Sequence, residues 1–188
     1  LTEWNALWLA TLAEAAFATG RADWLADARQ LGEFLLRELR RDDGRWLRSW
    51  QAQGGARHLA FASDHAALVD AFTRLGEATG EARWLDEAIT TADAMLDLFW
   101  DPELGGLFTT GSDAEALVAR QKDFQDNAVP SANSQAAVAF LRLTSLTGEA
   151  RWLEHAEAIL RLFGRYAKSH PMGFALLLQA VDLHQTGP

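Results

Sequence analysis

The chain has no cysteine. This excludes disulfides, thiolate metal sites and a thiol nucleophile, and it leaves the redox compartment open. It also has no apolar run near the 18 or so residues that a membrane span needs, so no membrane partner is expected. Nor does it have the basic surplus of a duplex binder. With a formal net charge of −9, it lacks the Lys and Arg excess through which proteins neutralise phosphates, and nucleic acid is not an expected partner. No HxxxH pattern or repeated acidic cluster suggests a metal site, and no cofactor is expected. There is no initiator Met and no basic-then-apolar leader before Leu1, which reads as a helix start. We therefore expect a fragment of a longer, cytoplasmic protein.

The residues that are present suit one folded domain. Of 188 residues, 49% are hydrophobic and 23% charged, enough to bury a real core. Three segments align without gaps: TGRADWLADA from Thr19, TGEARWLDEA from Thr79 and TGEARWLEHA from Thr147. The spacings of 60 and 68 residues exceed the roughly 34 of a bare helix pair, so each unit carries an added connection. Gly20, Gly80 and Gly148 follow apolar helical runs, where a left-handed residue closes a helix. Trp24, Trp84 and Trp152 then open the next helix and are expected to fill the same gap in each turn.

Each unit thus reads as a helix hairpin with an apolar inner helix and a charged outer one. The run from Trp4 to Thr19 carries one charge, Glu14, whereas Arg21 to Arg41 carries nine. Hairpins are expected over about 4–41, 64–99 and 131–168, with a final helix from about 171 to 184. The helix from Asp64 to Thr79 departs from the pattern with four charges. Between hairpins, GRWLRSWQAQGGARHLAF and GGLFTTGSDAEALVAR alternate around glycines and read as two small antiparallel ribbons. The fold class is all-α, a partial α/α toroid of about three and a half hairpins forming a single repeat domain.

Every connecting ribbon leads from an outer helix to the start of an inner one. The inner starts TEWN, SDHA, PSANS and HPMG are therefore expected on one rim. Ser, Thr, Asp and Asn are the usual N-caps, and Ser63 or Asp64, and Ser131, need no other role. KDFQDNAVPSANSQAA holds more polar groups than one cap requires. The expected ligand-binding set is Glu3, Trp4, Asn5, Asp64, Arg120, Lys122, Asp126, Asn127, Ser131, Asn133 and Ser134. The aromatics Trp4, Trp8, Trp46, Trp50, Phe61, Trp100 and Phe108 supply flat faces suited to a sugar as well as to a core. Catalytic candidates are the carboxylates Glu3, Asp64 and Asp126 for glycosidic cleavage, or His65 and His170 for proton transfer beside a carbonyl. His155 and His184 lie away from the rim.

The opening LTEWN together with ARQKDFQDNAVPSANS resembles the C-terminal helical region of the thioredoxin-domain-containing family related to spermatogenesis-associated protein 20. The matching positions are Arg120, Lys122, Asp126, Asn127, Pro130, Ser131, Asn133 and Ser134. The family usually has Gly where Ala6 and Ala132 stand, and Tyr at His65. The resemblance implies a thioredoxin-like domain followed by a six-hairpin toroid, similar to N-acylglucosamine 2-epimerases and related glycosidases. A sugar or sugar-phosphate ligand follows from it. Half a ring would expose its inner apolar faces, so the missing N-terminal half or a second copy is expected to cover them. The alternative is a noncatalytic helical scaffold or protein-interaction module.

Overall fold

The computed structural model describes residues 1–115 and 118–187 and divides into two compact units, Leu1–Ala94 and Met95–Pro188. The first holds α1 (Thr2–Thr19), α2 (Ala22–Leu39), β1 (Leu47–Gln51), β2 (Gly55–Leu59), α3 (Ala62–Thr79) and most of α4 (Ala82–Phe99). The second holds the end of α4, α5 (Ala132–Thr147), α6 (Ala150–Ser169), a 3₁₀ turn at Pro171–Gly173 and α7 (Ala175–Thr186).

The repeated turn is built from the residues that define it in the sequence. Gly20, Gly80 and Gly148 have φ of 68°, 70° and 72°, a region that only glycine occupies without strain. The preceding threonines donate their hydroxyls to the carbonyls of Ala15, Leu75 and Leu143. An arginine then covers the tryptophan face in each turn, Arg21 over Trp24 at 4.5 Å, Arg83 over Trp84 at 4.2 Å and Arg151 over Trp152 at 3.9 Å. The order of acid and base is reversed in the first turn, with Arg21 bonding Asp23, against Glu81 with Arg83 and Glu149 with Arg151. The tryptophan environment is not the same three times, however. Trp84 and Trp152 are fully buried and stack on Phe72 and Phe140 at 5.8 and 5.7 Å. Trp24 is only half-buried, and Leu12 occupies the position where those repeats carry phenylalanine.

In the first unit α1 packs along α3, and α2 closes over α1. The contact of α2 with the next hairpin is close: a Cβ placed on Gly32 would lie 2.8 Å from Trp84 Cη2 and 3.0 Å from Leu75 Cδ2. Three of the four charges of α3 now have a physical account. Asp70 pairs with Arg74 one turn on at 3.0 Å, and Arg74 reaches Glu14 on α1 at 2.7 Å. Asp64 is neutralised by Arg48 at 2.8 Å.

The first ribbon forms as expected, with Leu47 opposite Leu59 and Gln51 opposite Gly55. The second does not form among the described residues, although Ala116 and Leu117 lie outside them. A bridge between Trp100 and Leu107 and scattered backbone bonds tie that segment, among them Phe108 N to Phe99 O at 2.8 Å, Ser112 N to Leu98 O at 2.9 Å and Thr109 N to Gln121 O at 2.7 Å. Side chains hold it as well, as Arg120 donates to the carbonyls of Leu98 and Thr110. The last helix also starts later than expected. Pro171 opens a 3₁₀ turn, and α7 begins only at Ala175.

Candidate functional site

At the starts of α1 and α3 the first unit gathers a buried charged cluster. Asp64, fully buried, accepts the amide of Glu3 at 2.9 Å on Oδ1. Its Oδ2 accepts the amide of Phe61 and Nη1 of Arg48, both at 2.8 Å. Asp64 thus turns back on the residue before its own helix in the manner of an acidic residue in the first turn, and it meets the positive helix end favourably. The other nitrogen of Arg48 lies 3.8 Å from Glu3 Oε2, which also accepts the hydroxyl of Ser63 at 3.2 Å. Thr2 donates to the Leu47 carbonyl at 2.6 Å. One arginine from the ribbon therefore bridges two carboxylates from two helix starts, with its guanidinium over Phe61 at 4.6 Å.

On the same helix as Glu3, Trp4 and Trp8 are 61% and 58% exposed, and Trp8 lines the groove between α1 and α2. Asn5 is half-buried and donates its amide to the Leu1 carbonyl at 2.7 Å. His65 is buried, its Nδ1 2.9 Å from the Phe61 carbonyl. Trp46 is a core residue, and Trp50 donates to Glu38 at 3.0 Å while meeting Phe34 edge-on at 5.2 Å.

The second unit collects the other predicted residues, and their polar atoms are turned inward. Asn133, fully buried, accepts the amide of Leu107 at 2.7 Å and donates to the carbonyls of Leu107 at 3.0 Å and Asp123 at 2.6 Å. Its amide meets both backbone groups of Leu107 as a strand partner would. Ser131 caps α5 by accepting the amide of Ser134 at 3.1 Å, and the two hydroxyls bond at 2.9 Å. Asp126 accepts the Ser131 amide at 2.9 Å with one oxygen. Its other oxygen takes the amides of Leu176 at 2.8 Å and Leu177 at 3.3 Å, at the start of α7. Asn127 is exposed, and its side chain accepts the amide of Ala128.

Lys122 donates to Asp101 at 2.7 Å and to the Gly105 carbonyl at 2.5 Å. This bond, above all else, holds the Asp101 carboxyl below the ordinary carboxylate range. Two cations lie over the Phe108 ring, Arg120 at 4.4 Å and Lys122 at 5.0 Å. Trp100 meets His155 edge-on at 4.6 Å. His170 is exposed at the end of α6.

Sequence reasoning missed Arg48, Asp101 and Asp123. Arg48 sits in an alternating strand, where nothing marks it from other surface cations. Asp101 did carry a signal, because Asp-Pro at a helix exit favours an Asx turn, and its Oδ1 accepts the amides of Glu103 and Leu104. The carboxyl of Asp123 is pushed up, first by desolvation and then by the charge of Asp126. Among the described residues no group of three or more His, Cys, Asp or Glu could hold a metal ion, and no helix is long and apolar enough to cross a membrane.

No family model matches the chain. Among solved structures it is similar to cellobiose 2-epimerase from Spirochaeta thermophila, with a TM-score of 0.68 and 19% identity over 86% of this chain and 42% of that one. It is also similar to an α-mannanase of glycoside hydrolase family 76 from Bacteroides thetaiotaomicron, with a TM-score of 0.65 and 18% identity over 86% and 43%. D-mannose isomerase follows with a TM-score of 0.66 and 14% identity over 86% and 40%. These likenesses give the fold class, the helix-hairpin architecture of α/α toroids. In sequence, the chain is 32% identical to mouse spermatogenesis-associated protein 20 over 98% of its length, and 31% identical to the rat protein over the same share. It spans about a quarter of the length of these curated relatives. The chain therefore belongs to the family of spermatogenesis-associated protein 20.

Proposed function

We propose that this chain is the helical region of a carbohydrate-binding or carbohydrate-modifying protein. In its first unit, the start of α1 and the Arg48 cluster face the ligand. The observation that carries the reading is the pairing of two buried carboxylates, Glu3 and Asp64, with one partly open arginine, at the start of the helix that also carries the exposed rings of Trp4 and Trp8. Aromatic faces bind the apolar side of a sugar ring, while fixed charges bind its hydroxyls or an attached phosphate. The fold is shared with epimerases and glycoside hydrolases, which supports a ligand of that class. Among the acid–base candidates, Asp64 stands nearest to this reading. His65, Asp126 and His170 remain candidates of the same proposal, as does a thioredoxin-like domain elsewhere in the longer protein.

Calorimetric titration of the 188-residue chain with neutral sugars and sugar phosphates tests it. Binding is expected for at least one class and is lost in Trp4→Ala and Arg48→Met variants whose circular dichroism is unchanged. Heat absent across the panel would overturn the reading.

A noncatalytic scaffold is the second reading, and a specific observation favours it. Arg120, Lys122, Asp126 and Asn133 have partners within the second unit for the very groups that would otherwise meet a ligand. On this reading the polar excess of KDFQDNAVPSANS is consumed in holding a long connection without a ladder.

A further inference from the structure

Along the outer side of its first hairpin the first unit has an open groove of about 950 Å³. Trp8, Leu12 and Ala15 of α1 line one wall, and Trp24, Leu31 and Phe34 of α2 line the other. One repeat later the equivalent positions of the α1 wall are Leu68, Phe72 and Leu75, and Trp24 becomes Trp84. All four are fully buried. The chain therefore shows what such a surface accepts. Over Trp84 and Leu75 lies α2, brought close by Gly32, whose missing side chain leaves no room for a Cβ. Two ion pairs fix its register: Arg29 with Glu81 at 2.6 Å and Glu33 with Arg83 at 2.5 Å. A third joins Arg40 to Glu87.

Carried back by 60 residues, Glu81 becomes Arg21, Arg83 becomes Asp23 and Glu87 becomes Asp27. The first two charges are reversed and the third is kept. We propose that the open groove receives the outer helix of a further hairpin repeat, and that the reversed charges select it. The helix carries a small residue where α2 has Gly32, to rest on Trp24. It carries an acid where α2 has Arg29, to face Arg21, and a base where α2 has Glu33, to face Asp23. At the position of Arg40 it keeps a base, facing Asp27. Relatives four times as long as this chain have room for such a repeat. The same rule disfavours the chain's own α2 as occupant, since its Arg29 would meet Arg21 and its Glu33 would meet Asp23. The groove thereby discriminates against head-to-tail self-assembly, and does so by repulsion as much as by attraction. The inference shares Trp8 with the sugar reading, but its test varies Trp24 and the charge pairs, which that reading does not use.

Fluorescence anisotropy of labelled peptides added to the 188-residue chain tests the proposal. One peptide carries the sequence of residues 22–40, and a second carries it with Arg29→Glu and Glu33→Arg. Two like-charge contacts become two attractive ones, so the exchanged peptide is expected to bind about tenfold tighter. Its advantage should shrink in high salt. Adding Gly32→Leu to that peptide, or Trp24→Ala to the protein, should remove binding. Equal affinity of the two peptides, binding that ignores Gly32→Leu, or no binding of either at millimolar concentration overturns the proposal. Concentration-dependent dimers in sedimentation, blocked by Trp24→Ala, would overturn it in favour of a second copy.

Discussion

The carboxylate of Asp126 accepts the amide of Leu176 at 2.8 Å across 50 residues of sequence. It thereby caps α7, whose own N-cap residue, Phe174, offers no side-chain acceptor. The same carboxylate accepts the Ser131 amide at the start of α5, so one side chain serves two helix ends. Asp126→Ala should lower unfolding free energy by about 2 to 3 kcal/mol, the sum of a lost cap and an unmet amide. Urea denaturation measures it. Asp126→Asn, which keeps an acceptor, should recover part of the loss. A cost below about 0.5 kcal/mol, the level of an ordinary surface change, would mean that the carboxylate is not needed at either end.

Gly32 offers a sharper case because two effects oppose each other. Alanine in a helix interior is favoured over glycine by about 1 kcal/mol. Here a Cβ would fall 2.8 Å from the Trp84 ring, and overpacking a well-filled core costs about 1 to 3 kcal/mol. Packing should win. Gly32→Ala is expected to lower the thermal midpoint, while Gly164→Ala, where nothing lies within 4 Å of the added atom, should raise it.

Replacing Asn133 by leucine keeps the volume and removes three hydrogen bonds. The amide and carbonyl of Leu107 and the carbonyl of Asp123 would then lose their Asn133 partner. An unmet buried group costs about 1 to 3 kcal/mol, so a loss of roughly 3 kcal/mol is expected. Hydrogen exchange should show faster exchange at Leu107 before any change in α5.

Two carboxyls predict opposite responses to pH. Asp101 is held below its ordinary value, chiefly by the hydrogen bond from Lys122. Its stabilisation is present above the ordinary carboxylate value and is lost as pH falls through the depressed one. Asp123 is raised, chiefly by desolvation. Its contribution is present below the ordinary value and is lost as pH rises through the raised one. Asp101→Asn should therefore lower stability at neutral pH and flatten the acid limb of a stability profile. Asp123→Asn should leave the protein at least as stable near neutrality. Denaturant midpoints across the acid range would separate the two.

Much of this architecture was legible because it is local. The turns at Gly20, Gly80 and Gly148 need a left-handed residue and receive one, and Ser131 caps α5 as its position suggests. Ribbon pairing around Gly54 and Gly55 follows from alternation over ten residues. The segment after Trp100 misled because its alternation also suits a strand. Arg120, Lys122 and Asn133 nevertheless meet its backbone from 10 to 26 residues away, and side-chain bonds of that reach leave no periodic trace. The candidate site divides in the same way. Asp64 and Asp126 stand out as acids at helix starts, but Arg48, which joins Glu3 to Asp64, reads as an ordinary strand cation.

The amino-acid order alone determined where most helices begin and end, which of them are apolar, and that the unit recurs. Those properties rest on backbone preference and on side-chain periodicity within one turn or one hairpin. Tertiary structure decided which polar groups are already taken, which tryptophan stays open and which charges meet, because each depends on a partner brought close only when distant segments pack. Trp24 and Trp84 occupy the same place in the repeat. One is half-open and the other sealed, and the difference lies in whether a neighbouring helix covers them.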